Sequence, residues 1–288
     1  MAVVIASFTT LIGGSAPAAR QTFDLAATAV RLDALHISIV GNLAEHRASE
    51  LLNYHRIEGG ITDCMRAHGR PYRKAPFVSS YQDFTDADFG YGNGSATIID
   101  SLTAGTRRWE LNVIAGARLA RAGVYDREVR PADVDVLNGC AKPFGYRQYP
   151  DVDPPAGAYR LASFIDLLEP VHRDAEVMKA WQGYNTCMKD RHGYLVGEDR
   201  SDFLFAPNAR LNDPPVDGVP AGPAWHRALT ELKAVFAADV DCRRPAYVAA
   251  MRIVANRLDA WQSRHRTELL SIRHAWHQRV DAAAKPPR

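Results

Sequence analysis

The chain has 288 residues, with 35 Lys and Arg against 33 Asp and Glu, 47% hydrophobic residues and 24% charged ones. These are ordinary globular values and exclude a disordered polymer or a collagen-like repeat. No uninterrupted apolar run approaches the roughly 20 residues of a spanning helix, which excludes a polytopic membrane protein. The basic residues are mostly arginine: lysines number six and arginines make up the other 29 of the 35. With so much alanine alongside, that bias reads as codon choice in a GC-rich genome, so arginine abundance is poor grounds for a nucleic-acid or phosphate ligand.

In chain order, Met1 to Ala19 carry no charge, run apolar through Ala2-Val3-Val4-Ile5-Ala6 and Leu11-Ile12, and end in Gly13-Gly14-Ser15 and the small-x-small Ala16-Pro17-Ala18. This predicts a secretory signal peptide over 1–19, lacking the usual positive start, and hence a secreted protein. Residues 20–142 form a first helical half. Leu32, Leu35, Ile39, Leu43, Leu51, Tyr54, Ile57 and Ile61 recur at helical spacing and predict one long helix from Thr28 to Met65. Gly59-Gly60 is its weak point, at about 1 kcal/mol per glycine relative to alanine.

A turn-rich loop follows from Pro71 to Ser95. Its carboxylates Asp83, Asp86 and Asp88 precede Gly90-Tyr91-Gly92-Asn93-Gly94-Ser95, a set that could hold calcium through side-chain and backbone oxygens. Counted from Asp86, however, it lacks the sixth-position glycine and twelfth-position glutamate of an EF-hand. No strand precedes the glycines, so a dinucleotide fingerprint does not fit either. The simpler reading is tight turns, with Ser95 capping a helix from Ala96 to Ala122.

Residues 143–158, containing Pro143, Pro150, Pro154 and Pro155, read as a linker. A second helical half spans 159–288. Its helices are expected at Tyr159 to Arg191, bent or divided by Pro170, and at Pro223 to Asp239. Tyr194-Leu195-Val196 is a weak strand signal, and Phe203 to Gly222 reads as loop. Met251, Val254, Leu258, Trp261, His265, Leu269, Ile272, Trp276 and Val280 then recur by threes and fours, the spacing of a coiled-coil-like helix. They predict one helix from Ala246 to Ala283, about 55 Å long, with Pro245 at its first turn and Pro286-Pro287 beyond its end.

His274 and His277 on this helix have the i, i+3 spacing of half a metal site. His265 falls in the apolar stripe on the other side, so no third histidine joins them, and a solvated surface pair is the simpler reading. From Arg243 onward ten basic residues face three acidic ones. The tryptophans lie in the inward stripe and the arginines spread around the remaining circumference, which argues against a nucleic-acid or membrane rail. A solvated helix is the simpler reading, with an anionic cell-wall polymer or an acidic protein partner next.

The four cysteines are Cys64, Cys140, Cys187 and Cys242, none in a C-x-x-C pair. Cys64-Met65-Arg66-Ala67-His68-Gly69 and Cys187-Met188-Lys189-Asp190-Arg191-His192-Gly193 are similar, each ending a helix-like stretch and leading to a tyrosine. As one position in two copies of a unit, each takes a partner downstream, which predicts Cys64–Cys140 and Cys187–Cys242 disulfides. His68 and His192 recur with them as part of the duplicated architecture.

The Cys-Met-basic segment, the later Asp239-Val240-Asp241-Cys242-Arg243 and the long helix after it resemble a pattern in uncharacterised extracytoplasmic proteins of actinobacteria. The likeness covers mainly residues 160–280. It implies an extracytoplasmic location, helical content and paired disulfides, and it implies no activity. Gly139-Cys140-Ala141-Lys142 departs from it, lacking the acidic lead.

The expected fold is therefore all-α and disulfide-stapled, with one very long C-terminal helix and two related halves. No G-x-S-x-G, Walker A or H-E-x-x-H segment occurs, and no catalytic residue, metal or cofactor is assigned. The expected function is a secreted binding or structural protein. The alternative is an extracellular enzyme, metal-dependent or hydrolytic, with its site in the Asp83 to Ser95 loop or around His274.

Overall fold

The structure is a computed structural model that describes residues 23–93, 97–102, 105–124, 127–144, 154–206 and 210–285. The signal peptide expected over 1–19 lies outside them, as do Ser95, Ala96, Pro150, Pro286 and Pro287. Among the described residues the chain forms eleven α-helices and no strand beyond a single bridge between Val216 and Val219. None of these helices is long and apolar enough to cross a membrane.

The first expected helix is two. Helix α1 (Leu25–Val40) starts at Asp24, which accepts from the Ala27 amide at 3.0 Å, and buries Thr28, Leu32, Leu35 and Ile39. Helix α2 (Leu43–Ala67) starts anew at Asn42, whose side chain and that of Glu45 cap each other's backbone amides. Gly41 makes the break. Its φ is +104°, and a Cβ there would lie 2.6 Å from the Trp276 ring. The break also rotates α2, so that Glu45, Ala48, Ser49, Glu58, Ile61 and Met65 face inward while Leu43, Leu51, Tyr54 and Ile57 are only half-buried. Gly59 and Gly60 stay inside the helix.

Helix α3 (Arg107–Arg121) is shorter than the expected Ala96 to Ala122. Residues 97–101 are not helical because their carbonyls serve another group: Arg243 donates to the oxygens of Ile98, Asp100 and Ser101. An unexpected helix, α4 (Val134–Ala141), carries Cys140. The stretch from Tyr159 to Arg191 divides into α5 (Ala158–Ala162), α6 (Ile165–Arg173), α7 (Ala175–Gln182) and α8 (Tyr184–His192). Pro170 sits within α6 without breaking it. The breaks fall instead at Phe164, with φ +51°, at the capping Asp174, and at Gly183. Tyr194-Leu195-Val196 forms no strand, and α9 (Arg200–Phe205) occupies part of the expected loop.

The very long helix is present, but earlier than expected: α10 (Pro223–Arg264) has 42 residues and runs straight through Pro245. A proline inside a helix costs about 3 kcal/mol, and the buried Cys242, Arg243, Ala246 and Tyr247 on either side offset it. The interruption comes at His265, after which α11 (Arg266–Ala283) continues the stripe. Trp261, Ile272 and Trp276 are buried as the stripe requires, whereas Val280 is half-buried.

The largest core joins Leu32, Ile39, Tyr91 and Ile99 to Leu161, Phe164, Val171, Val254, Leu258, Trp261 and Trp276, so it draws on both sides of residues 143–158. Two smaller clusters surround the crosslinks. Ile61, Met65 and Leu137 pack around Cys140, while Tyr184, Met188 and Ala238 pack around Cys242. The disulfides are Cys64–Cys140 and Cys187–Cys242, each with a Cα–Cα distance of 5.6 Å. Much of the arginine excess is spent internally. Arg273 of α11, for instance, donates to Glu45 of α2 at 2.9 Å, and Arg243 is buried.

Candidate functional site

The three loop carboxylates diverge. Asp83 accepts from Arg118 at 2.6 Å, Asp86 accepts from the Leu43 amide at 2.9 Å and so helps start α2, and the buried Asp88 accepts from Thr85 and from Arg107 Nε at 3.0 Å. Each is committed to a different structural partner, and the structure does not bring them together. His274 and His277 are both exposed, and the described residues bring no third donor to them; His274 meets Gln278 at 3.0 Å.

The glycine turn that follows the carboxylates does shape a site. Gly90, Tyr91, Gly92 and Asn93 form one wall of a cavity of about 560 Å³, which is completed by His36 of α1, Arg108, Trp109 and Asn112 of α3, and Ser163 after α5. Gly92, at φ +77°, packs its backbone directly on another loop, since a Cβ there would lie 2.5 Å from Asp100 Cα. Asn93 donates its amide to the Ala87 carbonyl at 2.7 Å, which leaves its buried Oδ1 without a hydrogen-bond partner. That oxygen is sealed from solvent, so it faces the protein interior and not the open cavity.

His36 is held by the turn. Its Nδ1 meets the Phe89 carbonyl at 2.9 Å. Because a carbonyl only accepts, Nδ1 carries the proton, and in the neutral ring Nε2 is an acceptor. Burial pushes the imidazole down to about 4, the Phe89 bond pulls it back up and the Arg108 charge lowers it further, so the ring is neutral at pH 7. Arg108 donates to the Asn93 carbonyl at 3.2 Å. Behind the turn, Asp33 accepts from the Tyr91 amide, and burial raises its carboxyl to about 6 against that hydrogen bond. Of the described residues lining the cavity, only Arg108 is formally charged, and none is a carboxylate.

A buried ionic hub holds the far side. Asp239 of α10 takes a bidentate pair from Arg200, Nε at 2.7 Å and Nη2 at 2.9 Å, with further bonds from Arg243 Nε at 3.1 Å and Tyr184 OH at 2.8 Å. Burial alone would raise the Asp239 carboxyl. The hydrogen bonds and charge of Arg200, then the charge of Arg243, outweigh it and hold the group below the usual carboxylate range. Arg243 passes the surplus positive charge to the carbonyls of 98–101, next to Thr97 in the cavity wall. Asp241 receives His192 and Arg191 at 2.9 and 3.1 Å.

These contacts account for all but the valine of Asp239-Val240-Asp241-Cys242-Arg243. Sequence reasoning saw the glycine turn but not His36, Arg108 or Asn112. His36 lies 53 positions before its partner Phe89, and only the packing of α1 brings them together. No protein family model, no curated protein and no solved structure matches the chain.

Proposed function

We propose that the chain is an exported binding protein whose cavity between α1, α3 and the Gly90 to Asn93 turn takes a small anionic, hydroxyl-bearing ligand, such as the sugar acids of an anionic cell-wall polymer. One observation carries the reading: among the described residues of the cavity wall the single charged group is the Arg108 guanidinium, and the neutral His36 offers Nε2 as an acceptor. A carboxylate suits the first and a hydroxyl donor suits the second. Trp109 supplies an aromatic wall of the kind that packs on a sugar ring.

Two disulfides are compatible with an oxidising compartment, which supports export. A hydrolytic site would hold an acid or base tuned near neutral pH against the bond it cleaves. With His36 at about 4 and Tyr91 at about 12, the lining favours recognition over proton transfer.

Titration calorimetry tests the proposal with glucuronate, glucose and acetate as probes. Glucuronate should bind tightest, and Arg108→Ala should weaken it by at least about tenfold, the equivalent of one charge-assisted hydrogen bond, with the helical circular dichroism unchanged. Equal binding of glucose and glucuronate, or an unaffected Arg108→Ala variant, overturns it.

A further inference from the structure

The second crosslink is surrounded by groups that a structural disulfide does not need. Cys187 and His192 lie on α8, Asp241 and Cys242 on α10, and one donor atom from each lies within 4.8 Å of all the others. His192 Nε2 is 2.9 Å from Asp241 Oδ2. Two sulfurs, an imidazole and a carboxylate make a tetrahedral set of zinc type. With Zn–S bonds of about 2.3 Å, two thiolates on one ion sit about 3.8 Å apart, inside the span these donors already occupy. Arg191 stands at the rim, with Nη2 at 3.1 Å from Asp241 and Nη1 at 3.9 Å from Cys187 Sγ.

We propose that when a dithiol reductant opens the Cys187–Cys242 bond, the two sulfurs, His192 and Asp241 bind one zinc-class divalent cation and keep α8 and α10 joined. The dithiol gives up two electrons and becomes a disulfide, and its two protons leave the protein sulfurs as thiols. The cation then displaces both thiol protons to solvent, while neutral His192 binds through a lone pair. Two thiolates and one carboxylate leave the loaded site with a formal charge of −1, which the Arg191 guanidinium offsets.

The junction thus has two interchangeable closures, one covalent and one metallic. At the other crosslink the described residues bring together Cys64, His68 and Cys140, three donors without a carboxylate. The preference between the two crosslinks follows from that difference.

The test uses the full chain, reduced with dithiothreitol, desalted anaerobically and titrated with cobalt(II) as a spectroscopic stand-in for zinc. Reduced protein should develop tetrahedral cobalt absorption with thiolate charge transfer at one ion per chain, and oxidised protein should develop none. His192→Ala and Asp241→Asn should each weaken the site at least tenfold, and His68→Ala should leave it unchanged. Zinc should also shield Cys187 and Cys242 from alkylation while Cys64 and Cys140 remain labelled. Absence of the thiolate band, equal effects of His68→Ala and His192→Ala, or helicity lost on reduction and not restored by cobalt would each overturn the proposal.

Discussion

The two crosslinked ends share a local sequence and solve different problems. At the first, the buried carboxylates are Glu58 and Asp133, and Asp133 pairs with Arg70 at 3.2 Å and Arg130 at 2.7 Å, whose side chains are 42% and 62% exposed. Glu58 accepts from Tyr72 OH at 2.6 Å, the Ala75 amide at 3.0 Å and Arg127 at 3.1 Å, a cation whose side chain is 31% exposed, so every cation at this end reaches solvent. At the second, Asp239 meets two buried cations, and the spare one is absorbed by the backbone of 98–101. Met65 and Met188 are equally buried beside their cysteines. The repeated segment therefore repeats a helix end and its crosslink, whereas the charge around each is particular to its place. The first end pins a loop to α2. The second sets the wall of the cavity.

The sharpest way to break that comparison is to remove the two charges. Asp239→Asn strands two buried guanidinium groups and should cost about 3 to 5 kcal/mol. Glu58→Gln keeps an acceptor for Tyr72 and lets Arg127 turn to water, so about 1 to 3 kcal/mol is expected. Denaturant melts of both variants decide the matter, and equal losses would mean that the two ends are energetically alike.

Removing the crosslinks should not separate the ends. The half-cystines are 76 and 55 residues apart, and the loops they close give nearly the same chain-entropy value, up to about 4 kcal/mol for each serine pair. Melts of Cys64→Ser/Cys140→Ser and Cys187→Ser/Cys242→Ser under oxidising conditions check this. A gap much wider than 1 kcal/mol would assign the excess to the surroundings of one crosslink.

The smallest effect is a pH dependence confined to the cavity side. His36 and His46 both grip Phe89, one through its carbonyl and the other stacked on its ring at 4.3 Å. Burial, aided by the charge of Arg108, lowers each from 6.5 to about 4. The unfolded chain binds protons in that window that the folded chain refuses, so stability is complete above pH 6.5 and falls as pH drops toward 4. Asp33, raised by burial to about 6, acts in the opposite sense: its contribution is present below its unfolded value of 3.8 and lost as pH rises through 6. Melting temperatures measured across pH 4 to 6.5 should therefore decline more gently in His36→Asn and more steeply in Asp33→Asn.

Helical class was legible because the stripe from Met251 to Trp276 admits no other periodicity. The crosslinks were legible because Cys-Met is followed by His-Gly in both segments. The break between α1 and α2 had a local signal, Asn42-Leu43-Ala44-Glu45, but the apolar period ran on through it and masked it. Other features had no local signal. Residues 97–101 forgo a helix because Arg243, more than 140 positions away, takes their carbonyls. Pro245 sits inside a helix because tertiary packing outweighs its local preference. The cavity is assembled from α1, α3, α5 and one turn, and no spacing along the chain announces that meeting.

The Trp276 indole fills the space that a side chain on Gly41 would take, and its N–H donates to the Ile39 carbonyl at 3.0 Å across a separation of 237 residues. Arg273 and Arg279 reach α2 over nearly the same interval. The elbow between the first two helices is thus completed by a helix more than 200 positions further along the chain. Until α11 docks, the part of the elbow beside Ile39 and Gly41 that Trp276 covers stays open, and such a waiting surface invites aggregation or capture by a chaperone. Closure at so great a contact order is slow.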